Sequence, residues 1–121
     1  MTQCAAVFVM LAALPFTQCL GPKDGQVCTE VYVYGLTVNV TDAQTGASIE
    51  GATLMLRDGN YVEVMQPFPS GGYVGSGERP GTYTLTVEAT GYQTVVIDNI
   101  IIQSDPCHVI PVTKSVALQP K

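Results

Sequence analysis

The sequence predicts an all-β fold, a Greek-key sandwich of about seven antiparallel strands. Three observations support this prediction. Apolar and polar residues alternate with a period of two through most of the chain after residue 30. Turn-forming residues interrupt the alternation at short intervals. No segment carries an apolar stripe at helical spacing.

The strands follow from the alternation in chain order. In the first clear strand Leu36, Val38 and Val40 alternate with polar residues, which is typical of a sheet with one buried face. The side chains predicted to point into the core are Leu36, Val38, Val40, Ala52, Leu54, Leu56, Tyr83, Leu85 and Val87. Further strand candidates are residues 31–34, 61–65, 92–97, 100–103 and 108–118.

Glycine-rich and proline-rich segments between these strands predict the turns. They are TGAS (45–48), DGN (58–60), PSGG (69–72), GERPG (77–81) and TG (90–91). Asp58-Gly59 is a hairpin signal, because glycine adopts a positive φ without a steric penalty.

Two stretches carry a family resemblance. They are TDAQTGASIEGATLML, residues 41–56, and GTYTLTVEATGYQT, residues 81–94. Both resemble carboxypeptidase regulatory-like domains, which are transthyretin-like (prealbumin-like) sandwiches. The positions that match the first motif are Asp42, Thr45, Gly46, Ile49, Gly51 and Ala52. In the second, Gly-x-Tyr opens a strand and Ala-x-Gly-Tyr turns the chain. The resemblance implies a transthyretin-like fold and an appended module rather than a particular activity.

The N-terminus predicts export. An uncharged apolar run from Ala5 to Leu14 is about half the length of a bilayer-spanning helix and suits a signal peptide, residues 1–18. FTQC, residues 16–19, resembles the lipobox of bacterial lipoproteins, which predicts a lipid on Cys19 and a tether over 19–29. The sandwich domain then spans 30–119. Ordinary secretion or a periplasmic location is the alternative, and a buried N-terminal element is the alternative to the signal peptide.

This assignment leaves two cysteines for a disulfide. Cys4 departs with the signal peptide and Cys19 carries the lipid, so Cys28 and Cys107 are predicted to pair in an oxidising compartment.

Composition and spacing argue against nucleic-acid binding and against catalysis. A net charge of −5 with five scattered basic residues excludes a nucleic-acid surface. Catalytic zinc needs three protein ligands, and His108 is the only histidine. Cys107 and His108 are adjacent, and on an extended strand they would face opposite ways, so they do not form a nucleophile–base pair. We predict no enzyme, no cofactor and no metal site. An enzyme stays open as a third hypothesis, which clustered carboxylates around His108 would favour. His108 is expected at a strand entrance, hydrogen-bonded or solvated, with an isolated metal or pH-sensing role as the alternative.

The sequence therefore predicts a non-catalytic module with a structural or binding role, lipid-anchored at a bacterial cell envelope. Its partner would be an unknown envelope protein or glycan, and its only membrane contact would be the N-terminal lipid. The alternative is a carbohydrate-binding module that uses surface tyrosines. Exposure of Tyr32, Tyr34, Tyr61 and Tyr73 on one face would favour that alternative.

Overall fold

Two four-stranded sheets form the structure, as predicted for a sandwich. The computed structural model describes residues 27–121, and residues 27–30 have no regular secondary structure. Sheet 1 has the strand order β4-β5-β1-β8 and sheet 2 the order β3-β2-β6-β7. The strands are β1 (Tyr34–Asp42), β2 (Thr53–Asp58), β3 (Tyr61–Val64), β4 (Gln66–Pro67), β5 (Tyr73–Gly77), β6 (Gly81–Glu88), β7 (Val95–Ile102) and β8 (Val112–Leu118). The described residues thus contain eight strands rather than seven and no helix.

One pair of strands departs from the predicted antiparallel arrangement. β1 and β8 are parallel, in register from Leu36 opposite Val112 to Asp42 opposite Leu118. The other strand pairs are antiparallel, so sheet 1 is mixed. A parallel pair requires a long crossover, and the whole of sheet 2 lies between β1 and β8 in the sequence.

The core contains the side chains that were predicted to point inward and the apolar side chains that pack against them. Eight of the nine predicted residues are buried, and the ninth, Ala52, is partly buried against the same cluster. Ile100, Ile102, Val116 and Leu118 join the core from β7 and β8, together with Met65, Tyr73 and Val109. The period-two pattern therefore assigned the buried face correctly.

The boundaries of several strands differ from the prediction. Val31–Tyr34 was predicted as a strand, but only Tyr34 belongs to one, and β5 was not predicted. Residues 92–97 and 100–103 were predicted as two strands, whereas β7 runs continuously from Val95 to Ile102. It does so through a bulge, since the register shifts between Tyr83 and Leu85 and Asn99 has φ +59°. Residues 108–111 precede β8 and are not part of a strand.

The Asp58-Gly59 hairpin is confirmed. Asp58 pairs with Tyr61, which leaves Gly59 and Asn60 as a two-residue loop between β2 and β3. Gly59 has φ +62°, the conformation that favours glycine at this position.

Candidate functional site

Cys107 and His108 lie in a tight turn and not on a strand. Asp105 Oδ1 accepts hydrogen bonds from the backbone N–H groups of Cys107 (2.8 Å) and His108 (2.9 Å). The Asp105 N–H in turn donates to the carbonyl of His108 at 2.9 Å. Asp followed by Pro106 at the next position is a strong β-turn signal that the sequence analysis did not use. The two hydrogen bonds that Asp105 Oδ1 accepts, above all the one from the His108 N–H, lower the pKa of the Asp105 carboxyl.

The two cysteines of the described residues are both disulfide-bonded, in agreement with the predicted Cys28–Cys107 bridge. A disulfide sulfur is not a thiolate, so Cys107 is not a nucleophile in this state. The conclusion that Cys107 and His108 form no catalytic pair therefore stands, although the reason given from strand geometry was wrong.

His108 pairs instead with Glu78, which the sequence analysis places only in a turn. His108 Nδ1 lies 2.7 Å from Glu78 Oε2, and the same carboxylate accepts the N–H groups of Val33 (2.9 Å) and Val109 (3.3 Å). Desolvation opposes the ionisation of Glu78. The hydrogen bonds from His108 and the two backbone groups outweigh it and lower the carboxyl pKa. Glu78 thus holds together the segment before β1 and the turn before β8.

A second polar cluster surrounds Arg79. Its guanidinium lies 3.7 Å from the centroid of the Tyr61 ring, and Nη1 donates to Asp58 Oδ2 (3.1 Å) and to Tyr83 Oη (2.9 Å). The Tyr83 hydroxyl donates back to the Arg79 carbonyl at 2.8 Å. Tyr61 donates to Glu63 Oε1 at 2.8 Å, and this bond is the main reason that the pKa of Tyr61 is raised to about 12. The cluster joins β2, β3 and β6 to the turn that carries Arg79.

Ser76 carries a buried hydroxyl at the end of β5. It is fully buried with φ +49°, and Oγ has no hydrogen-bond partner among the described residues. Both oxygens of Glu63 accept the Ser76 backbone N–H at 3.1 Å rather than its hydroxyl. A serine nucleophile needs a base on its oxygen and access for the substrate, and Ser76 has neither.

The two stretches that carry the family resemblance touch each other. Tyr92 donates its hydroxyl to Asp42 Oδ2 at 2.7 Å, and Asp42 Oδ1 accepts the N–H groups of Gln44 (2.7 Å) and Thr45 (3.0 Å). These bonds, first that from Tyr92, lower the pKa of Asp42. Gly91, with φ +85°, reverses the chain just before Tyr92. Asp42 and Tyr92 therefore join the two stretches.

The four tyrosines considered for carbohydrate binding do not share one exposed face. Tyr73 is 5% exposed, and its hydroxyl bonds to the Ile49 carbonyl and the Ala52 N–H. Tyr61 is half-buried under Arg79. Tyr32 and Tyr34 form an edge-to-face pair with ring centroids 5.2 Å apart, and Phe68 extends it at 6.4 Å from Tyr34. Tyr32, Tyr34 and Phe68 are called the aromatic cluster below.

Other expected features have no test in these residues. Cys19, Cys4 and the predicted signal peptide lie outside the described residues.

Within residues 27–121, no group of three or more His, Cys, Asp or Glu side chains is placed to hold a metal ion. No helix in that range is long and apolar enough to cross a bilayer.

Comparison with known proteins agrees with the resemblance. No curated protein sequence matches the chain. The profile of the carboxypeptidase regulatory-like domain matches residues 35–113, well over half of the chain, and this family consists of non-catalytic β-sandwich modules. The chain belongs to the carboxypeptidase regulatory-like domain family.

Proposed function

We propose that this chain is a non-catalytic module that serves a structural or binding role at a bacterial cell envelope, held there by a lipid on Cys19. The non-catalytic part of this proposal rests on the hydrogen bonds that the polar side chains make within the protein. Glu78, Arg79 and Asp42 each join separate segments of the sandwich by hydrogen bonds. These bonds support a structural use of the three side chains.

The state of the cysteines supports export. Cys28 and Cys107 are both disulfide-bonded, and disulfides persist mainly in oxidising compartments such as the periplasm or the cell surface. The lipobox-like FTQC segment supports a membrane anchor rather than release.

Metabolic labelling with a fatty-acid analogue tests the anchor. We expect label on the wild-type chain and none on Cys19→Ser. Cys4→Ser is the matched control and should keep the label, because Cys4 lies in the predicted signal peptide. Label on Cys19→Ser, or unmodified protein in the soluble periplasm, would contradict lipid anchoring and favour simple secretion.

The aromatic cluster favours a second candidate function, the binding of a neutral glycan. Tyr32 is 62% exposed and Phe68 is 44% exposed, so both rings have faces on which a sugar can stack. The acidic net charge favours a neutral over an anionic glycan.

NMR titration with neutral oligosaccharides should shift resonances of Tyr32 and Phe68, and Tyr32→Ala should abolish the shifts. Ile101→Ala, an exposed apolar residue on the other sheet, should leave them unchanged. Without such shifts, this candidate fails and the structural role stands alone.

A further inference from the structure

β8 is an edge strand, and the side of its backbone that faces away from β1 has no partner strand among the described residues. β8 (Val112–Leu118) ends sheet 1 and has β1 as its one neighbour there. An edge strand presents a row of unpaired N–H and C=O groups, which can pair with an extended strand of another chain. With seven residues, β8 is long enough to present several such groups.

The unpaired stretch of β8 is fixed at both ends. The Gln93 N–H donates to the Gln119 carbonyl at 2.8 Å just after β8, and the Ile110 N–H donates to the Gln103 carbonyl at 2.7 Å just before it. These bonds connect segments next to β7, an edge strand of sheet 2, with segments next to β8. Between the two bonds, β7 and β8 lie in different sheets and do not pair. The edge of β8 is therefore held in an extended form that could accept another strand.

A lysine interrupts the apolar side of this edge strand. Lys114 pairs with the fully buried Val38, so its side chain starts on the core side of the sheet, as those of Val112 and Val116 do. Lys114 is nevertheless exposed, and it makes no ion pair among the described residues. Because sheet 2 covers the core side, the long alkyl stem reaches water past the open edge of β8. The ammonium group therefore lies on the route that an added strand would take.

The other three edge strands carry obstacles of different kinds. β4 has two residues, of which Pro67 has no N–H to donate. On the short strand β3, Glu63 pairs with the fully buried Leu56, so it too is a charged residue on the core side of an edge. β7 is bent by the bulge at Asn99. β8 is longer than β3 and β4 and keeps an unbroken register with β1, so its protection depends on Lys114.

We propose that Lys114 prevents the edge of β8 from pairing with β8 of a second copy of this chain. An added strand would lie about 4.8 Å from β8 and would close the gap through which the lysine stem reaches water. The ammonium group would then be buried without a partner, which is costly, or would hold the added strand away. Without this charge, Val112 and Val116 would offer a continuous apolar side for the added strand to cover.

Hydrogen–deuterium exchange at low and high protein concentration tests the proposal. All chains are full length and carry Cys19→Ser, so that a lipid on this residue does not drive association. In Lys114→Val we expect the amides of residues 112–118 to exchange about tenfold or more slowly at high concentration, because a second strand then covers them. In the parent chain the two rates should agree within about twofold. Lys114→Thr removes the charge with another residue that favours strands, and it should behave as Lys114→Val does.

Two matched variants separate the edge from a general increase in apolar surface. Lys114→Glu keeps a charge at the same place and should behave as the parent does. Thr113→Val adds a valine to the opposite face of β8, where Thr113 pairs with Thr37, and should also behave as the parent does. Circular dichroism checks that each variant is folded.

Exchange at residues 112–118 that is independent of concentration in both folded variants that lack the charge, Lys114→Val and Lys114→Thr, would overturn the proposal. Equal protection of these amides in Lys114→Glu, in Thr113→Val or in the parent would overturn it as well, because the lysine charge would then not control the pairing.

Discussion

Ser76 combines two unfavourable features at one residue. Its hydroxyl is buried without a hydrogen-bond partner among the described residues, and its backbone has φ +49°. An L-residue in the left-handed region costs about 1–2 kcal/mol, and an unsatisfied buried hydroxyl about 1–3 kcal/mol. Glycine at position 76 would remove both penalties, at an entropic cost of roughly 0.5–1 kcal/mol.

We therefore expect Ser76→Gly to stabilise the domain by about 1 kcal/mol in urea unfolding. Ser115→Gly is the control, because Ser115 is exposed on β8 and lacks a positive φ, so glycine there should be neutral or destabilising. A loss of stability in Ser76→Gly of more than about half a kcal/mol would show that its hydroxyl has a stabilising partner.

Glu78 gives the domain a stability that depends on pH. Its pKa is lowered in the folded state from the ordinary value of 4.5. The stabilisation is therefore complete above that value and is lost as pH falls through the folded pKa. We expect Glu78→Gln to be less stable than wild type at neutral pH, and the difference to shrink as pH falls below about 4.5. Thermal unfolding at several pH values measures this difference. Exposed Glu50→Gln is the control, and a difference for Glu78→Gln that stays constant with pH would contradict the assigned role.

At the scale of elements, β6 gives the sharpest test of which face is buried. Leu85 is fully buried, whereas Thr82 on the opposite face is exposed. Leu85→Ala should cost roughly 2–5 kcal/mol, and Thr82→Ala should stay within about 0.5 kcal/mol of wild type. Urea denaturation measures both changes. A cost for Leu85→Ala below about half a kcal/mol would mean that the register of this strand is inverted.

The strands that the sequence predicted well are those whose alternation is unbroken, such as β2 and β6. β5 was missed because YVGSG contains two glycines and a serine, so no apolar alternation marks it. β7 was divided in two because Asp98 and Asn99 interrupt its pattern, and a bulge absorbs the extra residue. The alternation of apolar and polar residues could not predict that β1 and β8 are parallel. It indicates which face of a strand is buried and not the direction of the neighbouring strand.

The candidate site was only partly visible in the sequence. The disulfide state of the two cysteines was expected from the cysteine count. The argument against a Cys–His pair assumed an extended strand where the structure has a turn. The role of Glu78 could not be predicted, because its partners Val33 and His108 lie 45 and 30 residues away in the chain. Asp105-Pro106 was a local signal that the analysis overlooked.

The predicted Cys28–Cys107 disulfide closes a long loop of the chain, and its loss should be costly. Closing a loop of about eighty residues is worth roughly 4–5 kcal/mol in the chain-entropy model, and less in many real proteins. We expect Cys107→Ser to lower the melting temperature. Mass spectrometry of a non-reduced digest should show a Cys28–Cys107 cross-linked peptide in wild type. Free thiols at both positions in protein from an oxidising compartment would refute the bridge.

At the scale of the whole molecule, the polar residues that look suited to chemistry stabilise the sandwich. Asp42 and Tyr92 come from the two stretches that identify the family, and they lie 50 residues apart in the sequence. Arg79 and Glu78 connect other separate segments in the same way.

A double-mutant cycle on Asp42 and Tyr92 tests this account most directly. Tyr92→Phe removes only the donor hydroxyl, and Asp42→Ala removes the acceptor together with its bonds to the Gln44 and Thr45 N–H groups. Urea unfolding of both single variants and the double variant gives the coupling free energy. We expect both single variants to be destabilised and the double variant to lose less than the sum of the two. Additive losses, or a Tyr92→Phe chain as stable as wild type, would contradict a structural contact between the two family stretches.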